Sequence, residues 1–178
     1  MNRQKYIDVW GDDNVVPFPR DQWMSSFRAP VGAYPDVDLL PVDMSAVFTS
    51  ALDGSRFNLY DRINIEIGPN EVLTLRVIGA VPAATGSMLF GFDVDGGRVV
   101  LLGVGEGTLE LVNSSLKALV DFLYLFACFI DEDSGVVGRP ERATDLRKAF
   151  LAIDASALNN PESWWSISLS KLGAKIAG

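Results

Sequence analysis

This sequence contains no histidine, one cysteine and fewer cations than anions. Each shortage excludes a class of chemistry. Without histidine there is no Ser-His-Asp or Cys-His catalysis, and most zinc and iron sites lose a principal ligand. Cys128, being alone, forms no internal disulfide and no cysteine-based zinc site. Its expected role is a small buried or half-buried thiol. Fifteen Lys and Arg against 23 Asp and Glu give a formal charge of −8. A general nucleic-acid binder needs the opposite balance, so no direct nucleic-acid contact is expected. The longest apolar run, residues 118–130, is interrupted by Asp121 and is too short to span a bilayer. The opening residues MNRQKYIDVWGDD carry no apolar signal segment. A cytoplasmic protein of bacterial type, away from membranes, is the expectation.

What is present is an apolar core and a pattern. At 178 residues and 48% apolar content, the chain suits one domain of ordinary size. The most informative stretch is LELVNSSLKALVDFLYL, residues 109–125. It reads as a strand, a cap supplied by Asn113, Ser114 or Ser115, and a helix. On that helix Lys117, Asp121, Tyr124 and Cys128 form one narrow polar stripe. Leu116, Leu119, Val120, Phe122, Leu123, Phe126 and Phe129 fill the remaining faces, so the helix must be packed on most sides.

Residues 1–56 form the loop-rich N-terminal part of the same domain in this reading. Five prolines between Pro17 and Pro41 break long helices, while frequent aromatics argue for order. Short elements are predicted near 20–27 and 44–51. Residues 57–178 form the α+β core. Ile63–Ile67 alternates with period 2 and ends at Gly68-Pro69-Asn70. Val72–Ile78, Ser87–Asp93, Arg98–Val104 and Thr108–Val112 follow as strands, the middle two joined through Asp95-Gly96-Gly97. Connections this short predict a mostly antiparallel sheet packed against helices. A second helix opens at Pro140 or Glu141 with Leu146, Ala149, Phe150 and Ile153 inward. A third opens at Asn160-Pro161-Glu162 with Trp165, Leu169, Leu172 and Ile176 inward.

No motif announces a reaction. Gly103-Val104-Gly105-Glu106-Gly107 leads into a strand rather than a helix, which a phosphate loop does not do. Asp131-Glu132-Asp133-Ser134-Gly135 lacks the closing glutamate of a calcium loop. Acids after a helix C-terminus cost about 0.3–1 kcal/mol, so this segment is either a solvated loop or one used for binding. Carboxylate pairs can be drawn from Glu66, Glu71, Asp93, Asp95, Glu106 and Glu110, but the sequence places no two at catalytic separation. Trp164 is either a binding platform or a packing residue. No catalytic residue, metal ligand or cofactor is assigned.

Three blocks taken in order resemble the SUKH superfamily, in its fourth immunity-protein subfamily. The first is Leu75-Arg76-Val77-Ile78-Gly79 with the two following strands. The second is Glu110–Leu116 running into the apolar helix. The third is the segment from Ile153-Asp154 to Trp164-Trp165. The resemblance covers roughly residues 57–172, and Val15-Val16-Pro17-Phe18-Pro19 is weakly similar to the family's N-terminal part. Residues 28–56, with Asp36, Asp38 and Asp43, depart from the pattern.

The resemblance implies a non-enzymatic immunity protein that binds and neutralises a cognate toxin domain, such as a nuclease or nucleic-acid deaminase. An acidic inhibitor suits a basic partner, because charge complementarity speeds encounter. The segments expected to make contact are Asp12 and Asp13, and Asp131, Glu132 and Asp133. The alternatives are a regulatory or scaffold adaptor of the same fold and a carboxylate-based hydrolase.

Overall fold

Five consecutive strands pair in sequence order as an antiparallel meander, β3 (Arg62–Gly68), β4 (Glu71–Ala80), β5 (Met88–Asp93), β6 (Val99–Gly103) and β7 (Thr108–Asn113). The structure is a computed structural model, and it describes residues 2–42, 52, 56–81, 87–133 and 137–173. The predicted strands are all present, within a residue or two of their expected ends. Short loops leave antiparallel pairing as the available geometry. Asn70 sits at φ 63° in the first hairpin turn, where an asparagine tolerates the left-handed region.

The turn between β5 and β6 shows how local chemistry fixes a hairpin. Asp93 is buried and accepts the backbone N–H groups of Asp95 and Gly96 and a two-pronged bond from Arg98. Gly97 sits at φ 77°, and a Cβ there would stand 2.6 Å from the Ala33 Cβ. The loop of residues 29–33 therefore lies directly on this turn, held by the Ala29 N–H donating to the Val94 carbonyl.

One sheet face, carrying Phe90, Phe92, Leu101 and Val112, packs under the helices and the N-terminal segment in the main core. The opposite face carries Leu73, Leu75, Val100 and Leu102, also buried. The helix α3 (Leu116–Asp131) lies in that main core. Its cap is Ser115, whose Oγ accepts the Ala118 N–H at 3.0 Å. Lys117, Asp121, Tyr124 and Cys128 are its half-exposed stripe, as the periodicity predicts. Phe122 stacks on Phe150 with ring centroids 3.8 Å apart and meets Trp165 edge-on at 5.3 Å.

Helix α4 (Arg139–Ile153) carries Pro140 in its first turn. Its buried residues are Ala143, Leu146 and Phe150, and Ile153 is 40% exposed. The buried stripe thus begins one turn earlier than predicted, because the chain leaves the helix at Asp154. Helix α5 (Trp164–Gly173) starts later than Asn160-Pro161 suggests. Asn160 instead accepts the Glu162 N–H in a turn, and the Ser163 Oγ accepts the Ser166 N–H at the helix start. Trp165 and Leu169 are buried and Leu172 half-buried, while Ile176 lies outside the described residues.

The N-terminal segment holds two helices, α1 (Arg3–Trp10) and α2 (Arg20–Ser26), and a two-stranded ribbon of β1 (Val15–Pro17) with β2 (Leu39–Pro41). Helix α2 matches the element predicted near 20–27; the one predicted near 44–51 lies outside the described residues. Helix α1 is an element the composition hides, for half of its sequence RQKYIDVW is polar and it is only eight residues long. Asn2 caps it by accepting the Lys5 N–H, and Tyr6 stacks on Tyr124 of α3. Phe18, Trp23 and Tyr34 join the main core, with Trp23 stacked flat on Phe92 at 5.4 Å. The fold is a single-domain α+β arrangement of one long meander, a short ribbon and five helices among the described residues.

Candidate partner-binding surface

The end of α3 is where exposed charge and exposed apolar area meet. Asp131 and Glu132 are exposed, and Ile130 beside them is 48% exposed. Val137, across the same loop, is 92% exposed. Ile130 and Val137 are thus two exposed aliphatic side chains close in sequence to the exposed carboxylates of Asp131 and Glu132. Sequence reasoning singled out the acids and did not name these neighbours. The available signal was that apolar residues flank the acidic run on both sides.

The three acids are not equivalent. Asp133 turns inward to the start of α4, where its carboxylate bonds Arg139 at 2.5 Å and also takes a very short contact from Arg142. Its side chain is 22% exposed, and the two guanidinium groups tie this residue, just after α3, to the first turn of α4. Arg142 in turn lies over the Phe129 ring at 5.6 Å. The Asp133 carboxylate therefore has two cations beside it, which offset its unfavourable place after a helix C-terminus. Asp12 and Asp13 occupy an exposed turn after α1, within the short helical turn Asp12–Asn14.

The other singled-out carboxylates have structural duties or stand apart. Asp93 holds the β5–β6 turn, as described above. Glu110 accepts the Trp164 N–H at 2.7 Å and so supports the start of α5. Glu66 and Glu71 are exposed at the β3–β4 hairpin, and Asp95 and Glu106 are exposed in turns. Asp36 pairs with Lys117 at 3.2 Å, and Asp38 with Arg3 at 3.4 Å; Asp43 lies outside the described residues. The Lys117 hydrogen bond and charge hold the Asp36 carboxyl below its ordinary range. Among the described residues, no group of three His, Cys, Asp or Glu is placed to hold a metal ion. No described helix is long and apolar enough to cross a membrane.

Trp164 borders an open apolar groove of about 430 Å³ between α5 and the sheet. Its ring meets Phe90 edge-on at 5.3 Å, so its inner side is packing. Behind α5 lies a polar network centred on the buried Asn113, Asp154 and Trp165. Asn113 Oδ1 accepts the Trp165 indole N–H at 2.9 Å, and its amide donates to Asp154 at 3.2 Å. Asp154 also accepts the Ser114 N–H at 2.7 Å and the Ser156 hydroxyl at 2.5 Å. This network joins the residues of the second and third sequence blocks, which explains their spacing physically: strand end, helix cap and tryptophan helix close on one carboxylate.

An antiparallel meander roofed by helices and tied to them through an Asn–Asp–Trp network defines the class of α+β domain. The chain belongs to the SUKH-4 immunity protein family, whose model matches residues 33–171. That match begins inside residues 28–56, so the stretch that departs from the resemblance is itself largely within the family. No curated protein and no solved structure matches the chain.

Proposed function

We propose that this protein is a non-enzymatic immunity protein, acting in the cytoplasm, that binds a cognate toxin domain and occludes its working surface. The family match carries the reading. The proposed target is a nuclease or nucleic-acid deaminase, since such domains use basic surfaces to hold phosphates. A formal charge of −8 supplies the means of capture. The proposed contact surface includes Asp131 and Glu132 with Ile130 and Val137, and the second acidic turn at Asp12 and Asp13. Asp133 contributes by tying the end of α3 to the first turn of α4.

The test is co-expression with the toxin domain encoded beside it, scoring growth and complex formation. Protection with a stable complex supports the reading; a complex without protection, or neither, overturns it. Reversing Asp131 and Glu132 to lysine, with Asp133 left intact, isolates the contact role from the structural one. The expected result is slower association and a weaker salt dependence with the folded state unchanged.

A further inference from the structure

Seven cations of this acidic chain, among the described residues, are tied to carboxylates: Arg3, Arg20, Arg98, Lys117, Arg139, Arg142 and Lys148. Among the seven other described cations, which form no ion pair with a described carboxylate, Arg28, Arg62 and Arg76 all line one polar concavity of about 330 Å³ beside the β3–β4 edge. Ser26, Thr74 and Asp95 share its wall, and Asp95 forms no ion pair with any of them. Arg62 and Arg76 are direct cross-strand partners. Like charges in that register destabilise a sheet, so the pair is an unfavourable arrangement unless an anion joins it.

Two of the three guanidinium groups are also held in position. Arg62 Nε donates to Asn64 Oδ1 at 3.2 Å, and the same oxygen accepts the Thr74 hydroxyl at 3.0 Å. Arg76 donates through one terminal nitrogen to the Tyr60 carbonyl at 3.1 Å and lies over the Phe27 ring at 5.4 Å. Tyr60 itself sits at φ 70°, a strained conformation for a tyrosine, pinned by its hydroxyl on the Pro17 carbonyl at 2.8 Å. The Arg76 Nε is enclosed and has no hydrogen-bond partner. Arg28 is exposed and forms no ion pair with a described carboxylate.

We propose that this concavity is a binding site for a dianionic phosphate group. Three cations against one acid at the rim leave a local surplus that matches a phosphate's charge of about −2. The donors come from three separate segments: the turn after α2, the edge strand and its neighbour. A single carboxylate satisfies one guanidinium fork, whereas a tetrahedral anion presents oxygens in several directions. The site is distinct from the surface assigned to the toxin, and its existence does not depend on that assignment.

The experiment is a titration of the full-length ¹⁵N-labelled protein with inorganic phosphate near pH 7.5, following the arginine Nε–Hε resonances. Ionic strength is held constant with chloride, and acetate serves as the carboxylate arm. The expected result is a saturable shift of the Arg62 and Arg76 signals. Affinity for phosphate should fall at least roughly tenfold in R28Q and in R76Q, the loss of about one charge-assisted bond. R28Q tests the site without risk to folding, since that side chain is exposed. Shifts that never saturate, or that chloride reproduces, overturn the site, as does unchanged binding in both variants. Acetate binding as tightly as phosphate overturns the phosphate assignment in favour of a carboxylate.

Discussion

Replacing Asn113 with alanine is the sharpest test of how the domain is closed. Asn113 is fully buried at the end of β7 and makes two side-chain bonds, one to Trp165 and one to Asp154. The substitution leaves the indole N–H of a fully buried tryptophan without an acceptor, at about 1–3 kcal/mol. It also takes one donor from a buried carboxylate, although Ser114 and Ser156 still serve that group. The combined cost is about 2–4 kcal/mol, a large share of the ~5–15 kcal/mol that holds a domain together. At roughly 2–4 °C per kcal/mol for a chain of this size, Tm should fall by about 5–15 °C. Urea unfolding followed by tryptophan fluorescence should show a lower midpoint with an unchanged slope. Asn113→Asp sharpens the test, because it sets a second carboxylate against Asp154. Its cost should exceed that of alanine at neutral pH and shrink as the pH falls toward about 4. A loss under about 1 kcal/mol for Asn113→Ala would refute the network as the closure.

Three further outcomes follow from the same geometry. Phe122→Ala should cost about 3–5 kcal/mol in urea unfolding, since the ring is buried between Phe150 and Trp165; a near-neutral result contradicts that placement. Ser115→Ala should cost about 1 kcal/mol in urea unfolding by removing the α3 cap; an unchanged midpoint contradicts that role. Burial raises the Asp154 pKa, but bonds from Ser156, Ser114 and Asn113 outweigh it and hold the group below its ordinary 3.8. A depressed carboxylate contributes stability that is full above about pH 4 and lost as pH falls through the folded value. Asp154→Asn should therefore destabilise strongly at pH 7 and progressively less in acid; a pH-independent difference contradicts this.

Much of the fold was legible because its signals are local. Period-2 alternation and glycine turns placed the five strands of the meander, and the narrow polar stripe of α3 accounts for its half-exposed residues apart from Leu125. The C-terminal helices were less legible. Leu146 and Phe150 carry the period of α4, but whether the stripe extends forward to Ile153 or back to Ala143 depends on where the chain departs. Asn160-Pro161 has the composition of a helix start, yet Ser163 caps α5, because Trp165 must reach Asn113. Helix α1 escaped notice because its stability comes from Tyr6 against Tyr124, a contact between residues 118 positions apart.

The sequence by itself determined what chemistry this protein lacks, its strand order, its central helix and its family resemblance. These depend on residue type and short spacing, which survive without coordinates. Only the tertiary structure decided the duties of individual polar residues. Asp131, Glu132 and Asp133 are consecutive and chemically alike, yet two face outward and one is bound by Arg139 and Arg142. Of the three cap candidates Asn113, Ser114 and Ser115, Ser115 is the cap, and Asn113 is the bridge between Trp165 and Asp154. Arg28, Arg62 and Arg76 are scattered over 48 positions and share one concavity. A charge's role depends on which partners reach it within a few ångströms, and long-range packing sets those partners.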